Sequence, residues 1–194
     1  MILDLVIEKD EKTFLETACK NEKKHIPLQR KQSKGVFMMN EKIQIDIYKG
    51  LPMVLEKVKS VALSAVIGKS NAWINNKLAH NLSKGKPCEF HEEDISLINN
   101  GLHSLGDEIS QHLIEYMEDR EEVIRQVNQL ATFVRMPYIY STVMGKAKAW
   151  YDNRKLARVP GRKVCVFKED DILAINMAAM QIANELRSIE FVLK

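Results

Sequence analysis

The sequence predicts a mainly α protein made of two tandem copies of one helical module, after a short N-terminal region that holds the strand-like stretches. Three observations predict it. Of the 194 residues, 45% are apolar and only 7% aromatic, with 8 glycines and 5 prolines. That balance supports a packed core and favours helices over a β-sandwich. The chain also matches itself, without a gap, at the offset that separates its two tryptophans, 150 − 73 = 77. Internal repetition constrains a fold more than any local pattern. Finally, Ile95, Ile98, Leu102, Leu105 and Ile109 step by three and four, as do Ile172, Ile175, Ala179, Ile182 and Leu186. Each set marks one buried helix face.

The repeat is carried by specific residues. Both tryptophans, Trp73 and Trp150, lie on it, inside VIGKSNAW and VMGKAKAW. Gly68 maps to Gly145, Lys69 to Lys146, Ala72 to Ala149 and Asn76 to Asn153. Lys86, Cys88 and Phe90 map to Lys163, Cys165 and Phe167. Glu92, Asp94, Ile95, Ile98, Asn99 and Glu108 map to Glu169, Asp171, Ile172, Ile175, Asn176 and Glu185. The organisation read from this is an N-terminal region with a basic linker over residues 1–50, module one over 51–112 and module two over 113–194.

In the N-terminal region, ILDLVI and IQIDIY are strand-like, with Ile43, Ile45 and Ile47 alternating with polar residues, so they are expected to pair as a small sheet. TFLETACKNEKK between them reads as a helix. Residues 20–35 carry a net charge of +5, which suits either a DNA-grasping arm or a solvated linker.

Each module then opens with a short helix. Ser60 is a good N-cap and Pro137, at the aligned position, a good first helical residue. Gly68 and Gly145 end these helices. The second helices follow as AWINNKLAHN and AWYDNRKLAR. SKGKPCEF and PGRKVCVF read as extended pieces, since Pro87 turns Lys86 away from helix. Three acids, Glu92, Glu93 and Asp94, suit the N-terminus of the long helix that comes next. With no proline from Asp94 to Val134 and apolar spacing continuing past Ile109, this helix is expected to run into, or stack on, the first helix of module two. Gly68-Lys69-Ser70 is not a phosphate loop. Such a loop needs a glycine at position 63, which is Leu63, and the second copy has Ala147 in place of the serine.

Short helix, glycine turn, second helix is a helix-turn-helix pattern. With the GKS-x-x-W, N-K-L and GKP-x-x-F-x-x-E-D elements of residues 68–94, it resembles the helix-turn-helix domains of the phage-repressor and Cro type, and most of all a group of small phage-like proteins. The resemblance covers about residues 58–110 and 135–187. It implies sequence-specific binding of double-stranded DNA and a role in transcription regulation. Lys69 and Lys146 depart from the pattern, because an apolar residue usually follows the turn glycine.

Charge placement agrees with a nucleic-acid partner. Residues 58–86 carry +5 and residues 135–163 carry +7, whereas residues 92–122 carry −9. Clustered cations are what phosphate binding and counterion release require, and Asn and Arg can make paired contacts to base edges. The expected DNA-binding residues are Lys69, Ser70, Asn71, Asn75, Asn76, Lys77, Lys84 and Lys86 in module one. In module two they are Lys146, Lys148, Asn153, Arg154, Lys155, Arg158, Arg162 and Lys163. Two recognition helices in one chain are expected to read two sites.

The tryptophans are expected to pack the short helix against the recognition helix. Cys88 and Cys165 are expected to be small buried residues, and three widely spaced cysteines suggest reduced thiols in the cytoplasm. No nucleophile–base pair and no metal-ligand spacing is evident, so neither an enzyme nor a cofactor is expected. No apolar run reaches membrane-spanning length. The alternative is a phage structural or host-interaction protein that uses the repeat to bind a protein partner or a second copy of itself.

Overall fold

A computed structural model describes residues 42–83, 85–157 and 164–194. ILDLVI, the helix expected at TFLETACKNEKK and the basic segment 20–35 lie outside the described residues. The described residues fall in one compact unit, mainly helical with a few short strands.

Strand β1 (Ile43–Asp46) stops where the Asp46 carboxylate accepts the Tyr48 and Lys49 N–H groups, at 3.1 and 3.3 Å. That cap starts helix α1 (Ile47–Lys57). Ile47 and Tyr48, expected on a strand, are therefore helical. Helix α2 (Ser60–Val66), a turn, and helix α3 (Asn71–Leu78) follow. A two-residue hairpin, β2 (Leu82–Ser83) with β3 (Lys86–Pro87), leads to the long helix α4 (Glu92–Gln111). Then come α5 (Arg120–Phe133), a π-helix (Tyr138–Val143), α6 (Lys148–Lys155), α7 (Glu169–Ser188) and β4 (Ile189–Val192). β4 pairs in parallel with β1, Ile43 opposite Ile189 through to Asp46 opposite Val192. β4 has no counterpart among the strands expected from the sequence.

Helices α3 and α6 begin and end at positions that the repeat offset relates, and so do α4 and α7. Gly68 and Gly145 close the turns before α3 and α6 at φ of 66° and 64°, a left-handed conformation in which Cβ-bearing residues are strained. All the apolar residues expected to face inward on α4 and α7 are buried, and burial of a large aliphatic side chain contributes about 1.5–3 kcal/mol. The two helices pack on each other. A Cβ placed on Gly106 would lie 2.8 Å from the Ala183 carbonyl oxygen, so this position fixes how closely they approach.

Contacts between the modules are reciprocal. The Asn99 carboxamide donates to the Phe191 carbonyl at 3.0 Å and accepts the Phe191 N–H at 2.8 Å. Asn176, its counterpart in the repeat, does the same to Ile114, at 2.7 and 2.9 Å. Phe191 and Ile114 are themselves counterparts at the repeat offset. Exchanged contacts of this kind are the mark of a two-fold arrangement.

They also explain why the long helix does not run on into the next. The chain does not stay helical from Asp94 to Val134. It leaves the helix after Gln111 and re-enters it at Arg120. Asn176 holds Ile114 in non-helical backbone, and Asp119 caps α5 by accepting the Glu121 and Glu122 N–H groups.

Where α1 and α5 end, the spacing is one residue shorter than the repeat. Val58 forms an antiparallel bridge with Val134. Lys59 donates its N–H to the Phe133 carbonyl, and Arg135 donates to the Lys57 carbonyl, at 2.9 and 2.8 Å. The bridge thus matches Val58 with Val134 and Lys59 with Arg135. Helix begins at Ser60 in one module and at Met136 in the other, so Ser60 corresponds to Met136 and not to Pro137. The extra residue is taken up by the π-helix, where the Met144 N–H reaches back five residues to the Ile139 carbonyl. One inserted residue is what widens an α-helix into a π turn.

Candidate nucleic-acid interface

The region around α3 is built from its N-terminus. Ser70 Oγ accepts the Trp73 N–H at 3.2 Å, which fixes the start of the helix. Ile74 is fully buried and Trp73 and Lys77 are half-buried, so the opposite stripe is set: Ala72, Asn75, Asn76 and Ala79 are exposed. Lys69 and Lys86 are exposed beside it. The Lys69 ammonium lies 5.8 Å from the Trp73 ring centre. Asn76 Oδ1 accepts from Asn81 at 3.0 Å. Asn71 is half-buried, and its Oδ1 has no hydrogen-bond partner among the described residues. A groove of about 430 Å³ runs along this helix between Ser70, Asn76 and Pro87.

Lys77 turns inward. Its ammonium pairs with Asp94 at 2.8 Å, reaches the Glu89 carbonyl, and lies 5.1 Å from the Trp73 ring centre and 5.6 Å from that of Phe90. Arg154 does the same in module two. It pairs with Asp171 at 3.0 Å and stacks over Trp150 at 4.5 Å. Each aspartate also accepts the backbone N–H three residues before it, of His91 or Lys168, at 3.0 and 3.1 Å. Burial alone would raise the Asp94 carboxyl, but the hydrogen bonds from Lys77 and His91 outweigh it and hold the group below its ordinary value. The cation at the end of each second helix thus ties that helix to the first turn of the long one.

The tryptophans serve this tie. Trp73 meets Phe90 edge-on at 6.1 Å and 79°, and Trp150 meets Phe167 at 6.0 Å and 78°. Their close ring partners lie in the segments before α4 and α7, not on the short helices. Cys88 and Cys165 are free thiols at half-buried positions beside these phenylalanines, not fully buried ones.

Module two presents a different outer stripe. Ala149 and Leu156 are exposed, with half-buried Asp152 and Asn153 between them. Lys148 pairs with Asp152, Lys146 is exposed, and Lys155 lies 6.0 Å from the Tyr151 ring centre. Lys84, Arg158, Arg162 and Lys163 lie outside the described residues.

A second cleft, of about 830 Å³, opens where the modules meet. Its lining includes Lys59, Arg135 and Lys155 with the hydroxyls of Ser60, Ser141 and Thr142. Lys59 and Arg135 contribute to the basic windows of the sequence, but their place beside the helix starts gave no sign that they face one cleft. Tyr151 also lines it, and burial pushes its phenol up to about 12, so it stays protonated near neutral pH. Among the described residues, no cluster of His, Cys, Asp and Glu could hold a metal ion, and no helix is long and apolar enough to cross a membrane.

A family model described as a domain of unknown function (DUF5053) matches residues 54–116, from the end of α1 through α4. No curated protein and no solved structure matches the chain.

Proposed function

We propose that the protein is a double-stranded-DNA-binding regulator of the helix-turn-helix type, with α3 as the helix that reads base edges. The observation that carries this is the outer stripe of α3. It pairs Asn75 and Asn76 with two alanines, contains no acid, and is flanked by exposed Lys69 and Lys86. Asparagine can bond an adenine edge through both its donor and its acceptor, and the small alanines let the helix lie deep in a major groove. Lys77 and Arg154 are assigned to the scaffold, since Asp94 and Asp171 neutralise them. Asp152 sits where module one has Asn75, so α6 is assigned to positioning on the backbone through Lys146 and Lys155. The two modules then contribute unequally, and the preferred site is an imperfect repeat.

The test is selection of duplexes from a random pool, followed by titration of the selected sequence. Asn75→Ala/Asn76→Ala is expected to weaken the selected duplex about 30-fold or more relative to random DNA, as befits two paired base contacts of about 1–3 kcal/mol each. Binding no tighter to selected than to random DNA refutes the reading.

One observation favours a protein partner instead. On α7, Leu173, Met177 and Met180 form an exposed apolar stripe, 58%, 66% and 38% accessible. The aligned positions on α4 are Ser96, Asn100 and His103. That contrast supports the reading of a phage structural or host-interaction protein, in which α7 supplies the contact.

A further inference from the structure

We infer that the cleft between the modules is a seat for the phosphodiester backbone of duplex DNA, gripped by Lys59 and Arg135 about the axis that relates the two modules. The inference rests on the DNA-binding reading and adds a surface outside the helix-turn-helix stripes.

The placement of these two cations follows from the bridge beneath them. Side chains alternate faces along extended backbone. Val58 and Val134 point inward and are fully buried, so their neighbours Lys59 and Arg135 are left on the outer face, where both are exposed. The reciprocal backbone hydrogen bonds of the bridge make Lys59 and Arg135 counterparts across the junction, and both line the cleft.

Neither cation is neutralised. Lys57, Lys77, Arg125, Lys148, Arg154 and Arg187 all pair with carboxylates. Among the described residues Lys59 and Arg135 do not, and the Arg135 side chain donates only through Nε to the Val58 carbonyl, at 3.3 Å. Lys155, the third cation in the cleft, likewise has no carboxylate partner among the described residues. Glu56 is the one acid among the lining residues. Hydroxyls from Ser60, Ser141 and Thr142 fill out the lining, and hydroxyls with lysine and arginine are the usual side chains on phosphate oxygens. The cleft is open, which suits a continuous strand. Duplex DNA has local dyads of its own, so a two-fold pair of cations can meet phosphates of both strands at once.

The experiment uses the full chain, mixed-sequence duplex DNA and a salt series. Lys59→Ala/Arg135→Ala is expected to flatten the slope of log K against log salt by about 0.9 per lost contact, near 1.8 in all. The charge reversal Lys59→Glu/Arg135→Glu is expected to weaken binding at least tenfold, while Asn75→Ala/Asn76→Ala leaves the slope unchanged. A measurement on the unaltered protein guards against misfolded variants: duplexes with neutral methylphosphonates at the centre of the selected site should bind more weakly than those neutralised at the ends. Duplex binding with an unchanged slope in Lys59→Ala/Arg135→Ala, or indifference to central methylphosphonates, overturns the inference and leaves the α3 reading standing. Failure of the unaltered chain to bind any duplex overturns both. So does binding to phosphatidylserine vesicles, but not to duplex, with the same dependence on Lys59 and Arg135, since the cleft would then be a seat for a membrane surface.

Discussion

Replacing Asn99 with alanine tests the reciprocal clasp between the modules. The carboxamide covers the free edge of β4, and the replacement removes both of its hydrogen bonds to Phe191. Phe191 is 1% exposed, so water has little access to the N–H and carbonyl left behind. A net loss of about 1 kcal/mol per bond, plus part of the cost of stranding a buried polar group, gives about 2–4 kcal/mol. For a chain of this size, about 2–4 °C of melting temperature accompanies each kcal/mol, so Tm should fall by about 4–16 °C. Urea unfolding followed by circular dichroism provides the free energy directly. Asn176→Ala should behave alike, because it strands Ile114, which is 4% exposed. The exposed Asn75→Ala is the control and should stay within about 0.5 kcal/mol. If Asn99→Ala also stays within that limit, the carboxamide is not what holds β4, and the reciprocal clasp does not stabilise the fold.

Asp94 should make stability depend on acid. Its folded pKa lies below the ordinary carboxylate value of about 3.9, so its contribution is complete above that value and is lost as pH falls through the lowered one. The stability gap between the native chain and Asp94→Asn should be constant near neutrality and narrow only as pH falls below about 4, and the absence of any gap near neutrality refutes the pairing with Lys77. Deleting Thr142, an exposed residue of the π-helix, should restore an α-helical turn and cost less than about 1 kcal/mol, whereas deleting Ala65 from α2 should shift the buried Leu63–Ile67 face and cost several times more. A Thr142 deletion as damaging as the Ala65 deletion would contradict the insertion.

Helices α4 and α7 were legible because each has both a start signal and a periodic face, whereas α1, which begins inside the strand-like IQIDIY, and the break before α5 were not. Ile95 to Ile109 is one such face, with three acids before it. The turn glycines were legible because two aligned copies keep a residue that tolerates positive φ. Long-range partners were not. Nothing local in IEFV marks it as the mate of Ile43–Asp46, since the two segments are far apart in the chain and pair only in the folded structure. Lys77 and Arg154 looked like groove cations, because sequence shows their charge and not that Asp94 and Asp171 neutralise it. Lys59 and Arg135 were counted but not singled out, since the repeat offset aligns each of them with some other residue and the bridge alone pairs them. Asn99 and Asn176 stood in the alignment as matched residues without a role. Their role appears only when each is seen holding the backbone of the other module.

The parallel pairing of β1 with β4 orders events during synthesis. Ile43–Asp46 emerges from the ribosome early, yet its only strand partner among the described residues comes after the whole of both modules. Until Ile189–Val192 is made, β1 has an unpaired edge and Gly50 lacks the Phe191 ring that packs against it. Asn99 of module one likewise lacks the Phe191 backbone that it holds. The last residues of the second module thus complete contacts begun far upstream, and a chain stopped before Ile189 leaves both β1 and Asn99 without them.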